Sequence, residues 1–110
     1  MLKKDYIVKK KIEFNDIIKT GKVFKNKMFV IYYKDNNLEH DRFGITVGTK
    51  LGNAVFRNKY KRKVRAVVFE YMKNNQKKQD YIILLRKGAT LVSFEELQNS
   101  FNKLMMGKEK

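Results

Sequence analysis

The 110 residues contain no cysteine, no proline and no tryptophan. Without cysteine there is no disulfide, no thiolate metal ligand and no thiol nucleophile. Histidine occurs once, as His40, in the polar stretch with Asn36, Asn37, Glu39 and Asp41. It reads as an ordinary solvated side chain, because one imidazole without a fixed partner makes neither a catalytic triad nor a typical zinc site. No apolar run approaches the roughly 18 residues that a membrane-spanning helix needs. The stretch from Met1 to Lys11 carries basic residues but no apolar segment behind them, so it does not read as a signal peptide and a cytoplasmic protein is expected. No repeat or Gly/Ser linker divides the chain, so residues 1–110 are expected to form one domain. Acidic residues are scarce: 11 Asp plus Glu face 26 Lys plus Arg, a net charge of +15. Such an excess repels itself in the compact state, which makes a polyanionic partner the natural explanation, nucleic acid first and an anionic membrane surface second. Arginine is scarce too. Three of the five arginines, Arg57, Arg62 and Arg65, fall within nine residues, and chance does not scatter them so.

What is present is a folding sequence. Hydrophobic residues make up 43% of the chain and are spread along it, enough for one modest core. Ile12, Phe14, Ile17 and Ile18 recur at helical spacing and predict a helix over Lys10–Thr20, ended at Gly21 as a C′ residue. Met28 to Tyr33 is a β-branched and aromatic strand, preceded by a shorter one at Lys22–Lys25. A polar turn, Lys34–Asp41, leads to a strand over Arg42–Gly48, in which Phe43, Ile45 and Val47 alternate with Gly44 and Thr46. Asn53 is a candidate N-cap for the longest helix, which runs to about Lys73 with Tyr60, Val64, Val67, Val68 and Tyr71 as its apolar stripe. After a loop at Asn74–Gln79, Tyr81 to Leu85 is a continuous apolar run that suits a strand buried on both faces. Ser93 and Glu96 form a capping box before a last helix whose inner face is Phe94, Leu97, Phe101, Leu104 and Met105. The predicted order is α-β-β-β-α-β-α, one sheet with helices packed on it.

On the long helix, Arg57, Lys61 and Arg65 stand four residues apart and span only about 80° of the circumference. Asn58 and Arg62 extend that flank. From Arg42 to Arg65 there are eight cations, with Lys50, Lys59 and Lys63 among them, and no acidic residue. Local salt bridges cannot balance them. Guanidinium forks match phosphate oxygens and stack on unpaired bases, so a row of them suits RNA. Lys50 to Asn53 leads into the helix, bringing backbone N–H groups and positive dipole potential toward any phosphate there. A solvated basic face is the bland alternative. A membrane surface fits poorly, because the apolar stripe is what the sheet needs to bury. No nucleophile–base pair and no carboxylate cluster suited to metals is visible, so neither catalytic nor metal-ligating residues are assigned.

The run from Lys50 to Arg65, Lys-Leu-Gly-Asn-Ala-Val-Phe-Arg-Asn-Lys-Tyr-Lys-Arg-Lys-Val-Arg, resembles the signature of the bacterial ribonuclease P protein component, K-x-G-N-A-V-x-R-N-x-x-K-R-x-x-R. The resemblance extends to Glu13-Phe14, to the strand Phe29–Tyr32 and to Asp80–Ile83. Thr49, Tyr60 and Ala66 depart from frequent residues at their positions, as does Ile18, where a second aromatic is usual.

The resemblance implies an α/β (α+β) two-layer sandwich, ribosomal protein S5 domain 2-like, with a left-handed β-α-β crossover through the long helix. It implies an accessory subunit of ribonuclease P, monomeric by itself, that partners a catalytic RNA and precursor tRNA. That RNA removes the 5′ leader by Mg²⁺-dependent hydrolysis, the metal being held mainly by RNA subunit and substrate. Lys50, Asn53, Arg57, Asn58, Lys61, Arg62 and Arg65 are the implied catalytic-RNA contacts. Phe14, Ile18 and Tyr32 are the implied contacts to the single-stranded leader, in a cleft between the first helix and the sheet. The alternative for Phe14 and Tyr32 is an inward-facing core role, and Tyr33 should point to the opposite face. Two other functions compete. A ribosomal or ribosome-assembly protein shares charge, size and even fold; a DNA-binding module would need a helix–turn–helix pair that this strand-rich chain lacks.

Overall fold

The computed structural model describes residues 7–73 and 77–107; part of the basic N-terminal stretch and of the Asn74–Gln79 loop lies outside them. The elements are α1 (Lys11–Thr20), β1 (Lys22–Lys25), β2 (Phe29–Asp35), β3 (Arg42–Val47), α2 (Ala54–Met72), β4 (Gln79–Leu85) and α3 (Phe94–Gly107). The predicted order holds, including the short strand β1. The four strands form one sheet in the order β1-β2-β4-β3. β1, β2 and β4 pair antiparallel, while β3 and β4 run parallel and are joined through α2.

β4 is the central strand the apolar run demands, with Tyr81, Ile82 and Ile83 at most 1% exposed. Its alternation feeds two cores. Tyr81, Ile83 and Leu85 join Phe29, Ile31 and Phe43 against α2 and α3, contributing Val64, Val67, Val68, Leu97 and Phe101. Ile82 points the other way and packs with Val8 and Ile17 beneath α1. Fully burying a side chain of this size contributes about 1.5–3 kcal/mol, so the α2/α3 face carries most of the stability and α1 the lesser share. Among the described residues, no helix is long and apolar enough to cross a membrane.

Five details differ from the sequence-based expectations. Strands β2 and β4 reach Asp35 and Gln79, because their pairing continues through Lys34–Asp80 and Asp35–Gln79 and shortens the polar turn. Gly21 ends α1 in extended backbone; glycine is needed there because a Cβ would lie 2.7 Å from the Tyr33 carbonyl oxygen. Ile12 is 77% exposed, so Phe14, Ile17 and Ile18 alone make the inner face of α1. Phe94 is 41% exposed rather than inward, since it is the first residue of α3 and the buried stripe starts a turn later at Leu97. His40 is half-buried, its Nδ1 within 3.0 Å of the Asp41 carbonyl oxygen.

Candidate nucleic-acid interface

The basic helix begins where a cap can hold it. Asn53 Oδ1 accepts the backbone N–H of Phe56 at 2.9 Å, and the Asn53 carbonyl accepts from Arg57 N–H at 2.9 Å. Gly52 permits the entry: a Cβ there would come within 2.5 Å of the Phe56 ring. Phe56 then packs on Tyr60 with ring centroids 4.7 Å apart. Tyr60 is anchored by its hydroxyl, which donates to the Thr90 carbonyl at 3.4 Å. The buried stripe of Tyr60, Val64, Val67, Val68 and Tyr71 fixes the rotation of α2, and this decides where its cations go.

Asn58, Arg62 and Arg65 are exposed; Arg57 and Lys61 are half-buried. The Arg57 Nε is covered and has no hydrogen-bond partner among the described residues. Lys50 is exposed in the 3-10 turn Thr49–Leu51 just ahead of the helix. Arg57 to Arg65 therefore forms a row about 12 Å long at 1.5 Å rise per residue. Among the described residues, no carboxylate lies within 4.0 Å of Arg57, Lys61, Arg62 or Arg65. Lys63 differs, its ammonium standing 4.7 Å over the Tyr60 ring. Asn53 belongs to the row by position, but its side-chain oxygen is already used as the cap.

Arg42 corrects the expectation that all eight cations lack an internal counter-ion. Its Nε donates to Asp80 Oδ1 at 2.9 Å and its Nη2 to Asp80 Oδ2 at 2.7 Å, a two-bond fork. Nη2 also donates to Glu13 Oε2 at 3.0 Å, tying α1 to the sheet. The Asp80 hydrogen bonds outweigh partial burial and push the Arg42 guanidinium still further above its usual value, so it stays charged. Neighbouring Asp41 is 1% exposed and its carboxylate accepts backbone N–H groups of Lys77 and Gln79, with Gln79 at 2.8 Å. These acids serve the fold.

On the α1 face the three residues assigned to the leader come together. Phe14, Ile18 and Tyr32 are half-buried and pack, with Leu84, against Val8, Ile17 and Ile82. Tyr33 points to the opposite core, stacked on Tyr81 at 6.2 Å. Gly44 also belongs to this surface, although it lies outside the motif. A Cβ at Gly44 would sit 2.6 Å from the Phe14 ring, so the missing side chain is what lets Phe14 lie against the sheet. A lone glycine inside an alternating strand is the signal that points to such a close approach. Among the described residues no group of three or more His, Cys, Asp or Glu side chains could hold a metal ion. Glu13 and Asp80, which do approach each other, are both engaged by Arg42.

Fold and surface together define the class: a small α+β protein with a cationic helix flank, Arg57 to Arg65, that no carboxylate approaches within 4.0 Å among the described residues and, across the sheet, a partly open apolar face. A family model described as Ribonuclease P matches residues 2–108. The ribonuclease P protein component of Streptococcus pyogenes serotype M5 is 39% identical, over 94% of this chain and 87% of that protein. Among solved structures, the Staphylococcus aureus RNase P protein superposes with a TM-score of 0.84 at 37% identity, covering 92% of this chain and 93% of that one. The Thermotoga maritima RNase P protein gives a TM-score of 0.76 at 32% identity, covering 84% and 88%. The chain belongs to the ribonuclease P protein component family.

Proposed function

We propose that this chain is the RNA-binding accessory subunit of a cytoplasmic ribonuclease P, acting as one domain on a catalytic RNA and on precursor tRNA. The observation that carries this reading is the row Arg57, Lys61, Arg62 and Arg65, set on one helix flank without carboxylate partners. Lys50 at the helix lead-in and Asn58 on the flank extend the surface offered to the phosphates of the catalytic RNA, and Asn53 holds the first turn in place. The single-stranded 5′ leader takes the other side of the sheet. There Phe14 and Tyr32 offer ring faces to bases and Ile18, packed on the same cluster, adds apolar surface, a sequence-tolerant mode of binding.

Hydrolysis is the work of the RNA, with Mg²⁺ held mainly by RNA and substrate; Glu13, Asp41 and Asp80 are engaged within the fold, and no step is routed through this chain's acids. Its own contribution is positioning: the cations lower the repulsion between RNA strands, and the leader face selects precursor over mature tRNA. The test is addition of the purified chain to a bacterial ribonuclease P RNA transcript at low Mg²⁺. Precursor cleavage that rises on addition supports the reading, and cleavage unchanged at saturating protein contradicts it.

A further inference from the structure

Beside the cationic row lies a groove between α2 and α3 of about 630 Å³, within the range of roughly 300–1,000 Å³ typical of clefts that seat small organic groups. Ala66, Phe69, Phe94 and Gln98 line it together with Arg62 and Arg65. Phe94 is 41% exposed there, and among the described residues no other ring or cation stacks on it. Phe69 is partly used, with the Lys73 ammonium 5.0 Å above its ring. The one carboxylate in the lining, Glu70, is taken by the same Lys73 at 3.1 Å. The groove thus offers an aromatic face and two guanidinium groups that have no partner among the described residues.

We propose that this groove seats an unpaired nucleotide of the RNA partner, its base against Phe94 and its phosphate held by Arg62 and Arg65. Charge complementarity selects this occupant. A second copy of a chain carrying +15 would be repelled from the same arginines, whereas a nucleotide supplies both the anion and the flat ring that the two kinds of side chain match. Ala66 contributes by its size, since a larger side chain in the lining would narrow the space. The inference rests on α2 facing RNA and extends that surface onto α3, which the sequence motif does not reach.

The test uses the full chain and a bacterial ribonuclease P RNA transcript, with affinity measured across a salt series for Phe94→Ala, Phe94→Tyr, Ala66→Leu and Arg65→Ala. Phe94→Ala should weaken binding roughly tenfold without changing the salt slope, because no charge is removed. Phe94→Tyr should restore affinity, and Ala66→Leu, which fills the groove and leaves Phe94 in place, should reproduce the loss. Arg65→Ala should weaken binding and flatten the slope. Parental affinity in both Phe94→Ala and Ala66→Leu, with Arg65→Ala weakened, overturns the groove and leaves the RNA-facing helix standing. Parental affinity and slope in all the variants, Arg65→Ala included, overturns both. A Phe94-dependent dimer in sedimentation, with RNA affinity intact, gives the groove to a second copy and overturns the proposal.

Discussion

Arg42 and Arg65 are the same residue type in opposite electrostatic surroundings. Arg42 sits at the start of β3 and is held by three hydrogen bonds to Asp80 and Glu13, at 2.7–3.0 Å. Arg65, 23 residues further along, is exposed on α2 with no carboxylate within 4.0 Å among the described residues. One cation organises the protein; the other is left for something outside it. The difference teaches that a stretch free of acids in sequence is not yet a stretch free of counter-ions. Asp80 and Glu13 come to Arg42 from 38 and 29 residues away, brought by the pairing of β3 with β4 and by the seating of α1. Among the described residues nothing equivalent reaches the Arg57–Arg65 flank of α2.

Removing each arginine should therefore have contrary consequences. Arg42→Ala leaves the nearly buried Asp80 without its counter-ion, with the Asn36 amide still donating to Oδ1 at 2.8 Å, and should cost about 3–5 kcal/mol of stability, read as a lower denaturation midpoint. A loss under about 1 kcal/mol would mean that the network is not holding α1 to the sheet. Phe14→Ala should weaken precursor binding by about 1–3 kcal/mol while leaving mature tRNA nearly unaffected. Equal losses for the two would make Phe14 a core residue only. Gly44→Ala should produce a smaller version of that selectivity, roughly fivefold, because the added methyl group displaces the Phe14 ring rather than deleting it. Asn53→Ala should lower stability by about 1 kcal/mol through the lost cap, checked by thermal melting. Arg65→Ala should shift the melt least of all, within about 0.5 kcal/mol, while raising the Mg²⁺ requirement of precursor cleavage.

The sequence made the frame legible wherever a local signal has a local cause. The apolar run at Tyr81–Leu85 suits a central strand, which β4 is, and the period of Tyr60, Val64 and Val67 sets the rotation of α2. Asn53 announced the cap. The cationic row followed from the same period, since its members sit a fixed angle from the buried stripe. What was not legible depends on distant partners. Arg42 resembles the other cations of the acid-free stretch until tertiary structure supplies Asp80. The role of Gly44 needed the position of α1, and the exposure of Phe94 needed the line on which α3 crosses α2. Ile12 misled because it matched the helical period of α1 without facing the sheet.

The central claim is that the cations of α2 are free for a polyanion while Arg42 is committed internally. Its most direct test is the slope of log affinity against log salt for a bacterial ribonuclease P RNA. The parent chain is compared with the triple substitution of Arg57, Arg62 and Arg65 by Ala. The slope should flatten by roughly 2–3, as each lost phosphate contact removes about 0.7–0.9, with the melting temperature essentially kept. An unchanged slope in a folded triple variant would contradict the account.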